Sequence, residues 1–377
     1  MPLPPEKSAL DRAFLLNVLK ATGCILIVLH HLAFYGPMSD VVMQAWPALI
    51  EALYAHGRLA VQVFLVCSGF LMATTLSTTR VWGWTNTMRM AWLRYLRLTI
   101  PLLAALSVTV LLTEYLRDDH DVSHLSATPD WHSALAHLLL MQHVLDFEAL
   151  SAGIWYVAID FQLYLITLLT LLFASQVAHR FPSLRIETLR WQLWLGLSLA
   201  SLMVWNLNDE LDNYGVFFFG SYGMGLLACT ARQSRMGFQG WAVLVVLGVL
   251  ALWVDPRWRI ATAWGCALLL LWAPSGWFSG ERLPLRVQHV IQWLSKVSYS
   301  VFLIHYAVIL AVSAGVSAHW PDDVWANALG MAVSVALSVW IGSALNRLTE
   351  RQPHDLKHLS AWGMVFMASV GLAMVSS

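Results

Sequence analysis

The sequence predicts an all-α polytopic membrane protein, a bundle of about 10–11 transmembrane helices. Three observations carry that prediction. Charged residues make up only 12% of the 377-residue chain, about half the share found in soluble globular proteins. Hydrophobic residues reach 58% and gather into long runs. Basic residues concentrate in alternate loops between those runs, as expected of a chain that crosses a bilayer repeatedly.

The same composition excludes other classes. The formal net charge is zero, which argues against a nucleic-acid binder. A chain this apolar is neither disordered nor a secreted disulfide scaffold. The four cysteines, Cys24, Cys67, Cys229 and Cys266, each lie inside an apolar run and read as small buried hydrophobes. The 20 tryptophans suit headgroup-level rings at both faces of a membrane.

In lipid a spanning segment must satisfy its own backbone hydrogen bonds, which takes about 20 helical residues. Eleven runs qualify, some of them short: 13–34, 58–76, 95–115, 154–175, 191–207, 215–231, 239–254, 259–277, 293–314, 325–346 and 360–376. A twelfth, 133–145, is too short to cross alone. It is either an interfacial or re-entrant helix or a tilted span.

The loops decide the orientation. Arg80, Arg89 and Arg94 follow the second run, and Arg180, Arg185 and Arg190 follow the fourth. Arg232 and Arg235, then Arg282 and Arg286, then Arg347, Arg351 and Lys357 continue the series. Between them, 116–132 holds Asp118, Asp119, Asp121 and Asp130 against Arg117, and 208–213 holds Asp209, Glu210 and Asp212. Only Arg257 and Arg259 break the alternation. The pattern places the N-terminus inside, leaves 133–145 non-spanning and puts the C-terminus outside. The polar, proline-marked start (Pro2, Pro4, Pro5) leads into a run without a small-residue cleavage site, read as a retained first span. Residues 1–377 are expected to form one membrane domain, with no internal repeat.

Ionisable groups at membrane depth are expensive and usually face a cavity or each other. The first span holds Asn17, Lys20, His30 and His31. Eleven residues at about 100° each bring Lys20 and His31 within about 20° of one face, ~16 Å apart along the axis. A plainer reading has Lys20 snorkelling to the headgroups and both histidines merely interfacial. Histidine is the side chain best suited to remove a proton near neutral pH. Only one of two adjacent histidines can face a given cavity.

Arg94 and Arg97 share a face at the start of the third span, either anchoring it or presenting forks to phosphate oxygens. Asp160 lies inside the fourth span and either serves a site or pairs with a cation. His305, in the ninth span near Lys296, Ser298, Tyr299 and Ser300, is either functional or a satisfied packing group. Gly69, Gly220, Gly223 and Gly225 read as close-packing points between helices.

Five blocks of these residues resemble the acyltransferase-3 family of integral-membrane acyltransferases, in order from about residue 11 to 353. NVLKATGCILIVLHH (17–31) is similar to an opening helix with Asp-x-x-Arg and a later histidine. Lys20 stands at the arginine and Asn17 at the acid. VQVFLVCSGFLMA (61–73) matches at Ser68, Gly69 and Phe70, with Gln62 in place of an acid. RYLRLTIPLL (94–103) resembles an arginine-containing segment before proline. IWYVAIDFQLYLI (154–166) matches at Trp155, Gln162 and Tyr164, with Asp160 where Glu is commoner. VSYSVFLIH (297–305) matches at Ser298, Tyr299, Ser300 and His305, and Glu350 and Pro353 resemble the family's tail. The run 360–376 is an addition to the usual set of about ten.

The resemblance implies O-acyl transfer, with acetyl-CoA as acyl donor substrate and the hydroxyl of an extracytoplasmic glycan or polysaccharide as acceptor. It implies a multi-pass protein of the bacterial cytoplasmic (inner) membrane. His31, Asp160 and His305 are the implied catalytic residues. Lys20, Arg94, Arg97, Ser68 and Tyr299 are the implied donor-binding ones. Membrane lipid, acyl-CoA and the glycan are the expected partners, with a polysaccharide assembly complex as a further candidate and nucleic acid excluded. No metal is expected, since no histidine shows ligand spacing with a carboxylate and a third ligand. Two other classes stay open: a transporter of a polar or acylated solute, and a non-catalytic subunit of a polysaccharide synthase.

Overall fold

The computed structural model describes residues 7–76, 82–117, 125–233, 237–273 and 283–376. Pro2, Pro4, Pro5, Arg80, Asp118, Asp119, Asp121, Arg235, Arg282 and the end of the run 259–277 lie outside them. Among the described residues every regular element is helical. In chain order the α-helices are α1 (Lys7–Phe34), α2 (Met38–Met43), α3 (Pro47–His56), α4 (Ala60–Leu76) and α5 (Trp84–Arg117). Then come α6 (Trp131–Leu138), α7 (Trp155–Arg180), α8 (Ile186–Met203), α9 (Gly215–Gln233) and α10 (Gly237–Val254). The last are α11 (Trp258–Trp272), α12 (Leu285–His319), α13 (Val324–Leu348) and α14 (Leu356–Ser376).

Among the described residues each of the eleven apolar runs lies largely on a helix. Seven described segments are long and apolar enough to cross a membrane, those holding α1, α3–α4, α5, α7, α12, α13 and α14. Helices α8 to α11 are shorter or less apolar. The run 133–145 becomes α6, which ends at Leu138; positive φ at Leu140 and Asp146 turns the rest into a looped segment. Several helices outrun their apolar stretch. For α5 and α12 the flanking polar residues continue the helix, because a spanning helix ends only where its carbonyls find other partners.

Local chemistry sets the ends. Asp130 caps α6 by accepting from the Ser133 N–H at 2.7 Å, and Asp323 caps α13 through Ala326 at 2.8 Å. Asp355 accepts from the His358 N–H at 2.9 Å at the start of α14. Pro47 opens α3, where its missing N–H costs nothing. Buried hydroxyls such as Thr109, Thr167 and Ser198 bond the carbonyl four residues back, which satisfies them within their own helix. Trp84, Trp258 and Trp325 open helices with their rings exposed, as interfacial anchors do.

The chain forms two compact units. The first comprises 1–21, 61–92 and 159–292, and the second 22–60, 93–158 and 293–377. In the first, α9 is the core, buried along most of its length and packed by α8, α10 and α11. Gly69 on α4 faces the backbone of Tyr222, and Gly225 on α9 faces the backbone of Val66 and Phe70. The two helices touch where only glycine leaves room. In the second unit, α12 is buried over most of Ser295–Ala314, α13 packs on α2, and α14 packs on α6.

Candidate active site

The second unit brings two of the implied catalytic residues into contact. His31 lies in the last turn of α1 and His305 in the buried part of α12. They are 8% and 0% exposed. His31 Nδ1 is 2.6 Å from His305 Nε2, and the rings stack at 4.8 Å between centroids with an 11° interplanar angle. His305 Nδ1 is 2.6 Å from the Phe302 carbonyl oxygen.

The network assigns the tautomers. A carbonyl only accepts, so His305 Nδ1 carries a proton and donates it. In a neutral ring Nε2 of His305 is then the acceptor, and His31 Nδ1–H donates to it. That leaves the lone pair of His31 on Nε2, in the tautomer a general base requires. The adjacent histidine is committed elsewhere. His30 Nδ1 is 3.0 Å from the Leu53 carbonyl, and its Cβ abuts Gly57.

An aromatic wall surrounds the pair. Tyr35 lies 5.6 Å from the His31 ring and 5.1 Å from Tyr306. Phe302 packs on His305 and on Tyr156. Gly153 completes the wall with φ of 77°, a conformation that favours glycine. A Cβ there would come within 3.2 Å of His31 Cε1 and 3.0 Å of Phe302. The segment that carries Gly153 hangs on His137. That buried ring donates from Nδ1 to the Ser133 carbonyl at 2.7 Å and accepts the Leu150 N–H on Nε2 at 3.2 Å. Burial holds His137 neutral and pushes its pKa down to about 4.

Asp160 and Ser68 meet in the first unit, where the Ser68 hydroxyl donates to Asp160 Oδ1 at 2.7 Å. Asp160 is buried. Gln162 accepts the Gly215 N–H at 2.7 Å, and Gln62 accepts from the Ser221 hydroxyl at 2.7 Å. The second and fourth blocks thus interlock with each other and with α9. The position where Gln62 replaces an acid is filled by a neutral hydrogen bond.

The cations divide between the units. Lys20 is half-buried in the first; Arg94 is half-buried and Arg97 exposed in the second. The Tyr299 hydroxyl donates to the Leu98 carbonyl at 2.8 Å, fixing α12 to α5 one residue from Arg97. His354, in the connector before α14, stands beside Arg97, Glu350 and His358, with its pKa lowered by burial and then by the Arg97 cation. Glu350 accepts from Ser300 at 2.5 Å and from Asn346 at 2.9 Å, which ties the fifth block to the family-like tail. Among the described residues no cluster of three or more His, Cys, Asp or Glu could hold a metal ion.

Sequence reasoning missed Gly153, His354 and the tyrosines. The one available signal was a glycine directly before the IWY of the fourth block. A family model for an acyltransferase domain matches residues 15–345. Searches of curated proteins and of solved structures gave no match.

Proposed function

This chain belongs to the acyltransferase-3 family, and on that premise we propose that it moves an acetyl group from cytoplasmic acetyl-CoA to a hydroxyl of an extracytoplasmic glycan. The observation that carries the reading is the His31–His305 pair, with His31 Nε2 left as the proton acceptor.

His31 Nε2 takes the proton of the acceptor hydroxyl as the oxygen attacks the thioester carbonyl. A C–O bond forms, the carbonyl oxygen becomes negative, and the imidazolium keeps its Nδ1–H bond to His305 Nε2. Collapse breaks the C–S bond, and His31 Nε2 gives its proton to the departing sulfur, so the donor leaves as the free thiol and the imidazole returns to its neutral form. His305, oriented by the Phe302 carbonyl, acts as positioning residue, as the third group of a catalytic triad does. A positioned base of this kind contributes about 10²–10⁴-fold.

Arg94, Arg97 and His354, all in the second unit, are the residues proposed for the donor's phosphates, because guanidinium forks fit phosphate oxygens. Asp160, bonded to Ser68, orients that hydroxyl rather than the base. The N-terminus is proposed to lie in the cytoplasm of a bacterial cell, so that the basic connectors face the donor. A polysaccharide assembly complex is the proposed setting.

Purified protein in sealed vesicles, given labelled acetyl-CoA outside and an oligosaccharide acceptor inside, tests this. Label on the luminal sugar supports the reading. Solute flux without acyl turnover would replace it with a transporter, and inactivity in the presence of both substrates would replace it with a non-catalytic subunit.

A further inference from the structure

The second unit carries an open groove of about 480 Å³ between α12 and α13. Its floor is apolar: Val297 from α12, with Ala336 and Val339 from α13. Trp293 and Trp340 form its walls, and both rings are exposed, Trp340 by 69%. Arg347 and Arg351 close one end. The α13 lining recurs at 336, 339, 340, 343 and 347, the spacing of one helix face, so the charge sits at one tip of a mostly apolar strip in which the Ser343 hydroxyl is bonded to the Val339 carbonyl.

Ordinary headgroup anchoring explains a terminal arginine but not a concave apolar floor beneath it. Arg351 Nε lies 3.3 Å from Asn346 Oδ1, and Asn346 is itself held by Glu350. Among the described residues no carboxylate forms an ion pair with Arg347 or Arg351. Two unneutralised guanidinium groups beside an apolar channel match an amphiphile with an anionic head.

We propose that this groove binds one anionic phospholipid, its phosphate between Arg347 and Arg351 and an acyl chain along Val297, Ala336 and Val339. The site is independent of acyl transfer, so its failure leaves the proposed reaction standing, and the reverse. Two forked donors suit a phosphate oxygen pair, and each basic residue at a membrane surface adds to the attraction for anionic lipid.

Native mass spectrometry of the detergent-purified protein, titrated with phosphatidylglycerol or phosphatidylcholine, tests the site. Phosphatidylglycerol is expected to be retained in preference. R347Q/R351Q is expected to lose affinity for it on the order of 30-fold. A336W, which fills the floor and keeps both arginines, is expected to lose it as well. Wild-type-like phosphatidylglycerol retention in both variants overturns the proposal, as does equal retention of the two lipids by the wild type. Displacement of phosphatidylglycerol by coenzyme A overturns it in favour of a donor site. A two-chain complex that A336W reduces to one chain overturns it in favour of a second copy.

Discussion

His30 and His31 are neighbours in the chain and unlike in role, because about 100° of rotation on α1 sends one ring to the Leu53 carbonyl and the other to His305. His305 acts through His31, so its substitution should change turnover rather than donor binding. His305→Phe is expected to lower kcat about 100-fold with an unchanged KM for acetyl-CoA, and His305→Gln, whose amide oxygen can accept, should recover part of the loss. Equal kcat in His305→Phe and wild type would remove His305 from the mechanism. Gly153 makes a second residue-scale test. Alanine there meets His31 and Phe302 and adopts a left-handed φ, at a cost of about 1–3 kcal/mol. Gly153→Ala is expected to stay folded and to transfer acetyl at least ~10-fold more slowly; wild-type turnover would show that the wall does not constrain the base.

At the scale of elements, α6 and the segment after it govern the site without touching the reaction. His137 titrates at about 4 in the folded protein against 6.5 for an ordinary histidine. Between those values the unfolded chain binds the extra proton, so stability is constant above pH 7 and falls as pH drops through 6.5 towards 4. The loss is on the order of 3 kcal/mol when complete, because protonated Nε2 can no longer accept the Leu150 N–H. Melting temperatures at pH 7 and pH 4.5 should therefore separate in the wild type more than in His137→Gln. An identical pH response in both would refute the role of His137.

The helices themselves were legible in the sequence, since apolar length and terminal Asp, Pro and Trp state where a chain enters and leaves lipid. The packing between α4 and α9 was legible as glycines at 69 and 225. The pairing of His31 with His305 was not, because 274 residues separate them and period alone says only that each lies on a buried face. Nor was the bond from the Ser68 hydroxyl to Asp160, since 92 residues separate the two in sequence. The left-handed turn at Gly153 depends on contacts that no local pattern carries.

For the whole molecule, parity matters more than the exact number of crossings. Eleven apolar runs and seven segments long and apolar enough to span are both odd, so a chain in which every counted segment crosses would carry residues 7 and 376 on opposite sides on either count. The two counts differ over α8 to α11. If α8 crosses, the acidic connector with Asp209, Glu210 and Asp212 lies outside, away from the basic connectors. Asp212→Cys in intact cells is then expected to react with a membrane-impermeant maleimide, and protection until lysis would mean that α8 returns to the cytoplasmic face.

The base itself is tested most directly by the initial rate of labelled acetyl transfer to a glycan acceptor by His31→Gln, compared with wild type at equal amounts of folded, membrane-inserted protein. The account predicts a fall of about 100-fold or more with the fold intact. Transfer at the wild-type rate would contradict it.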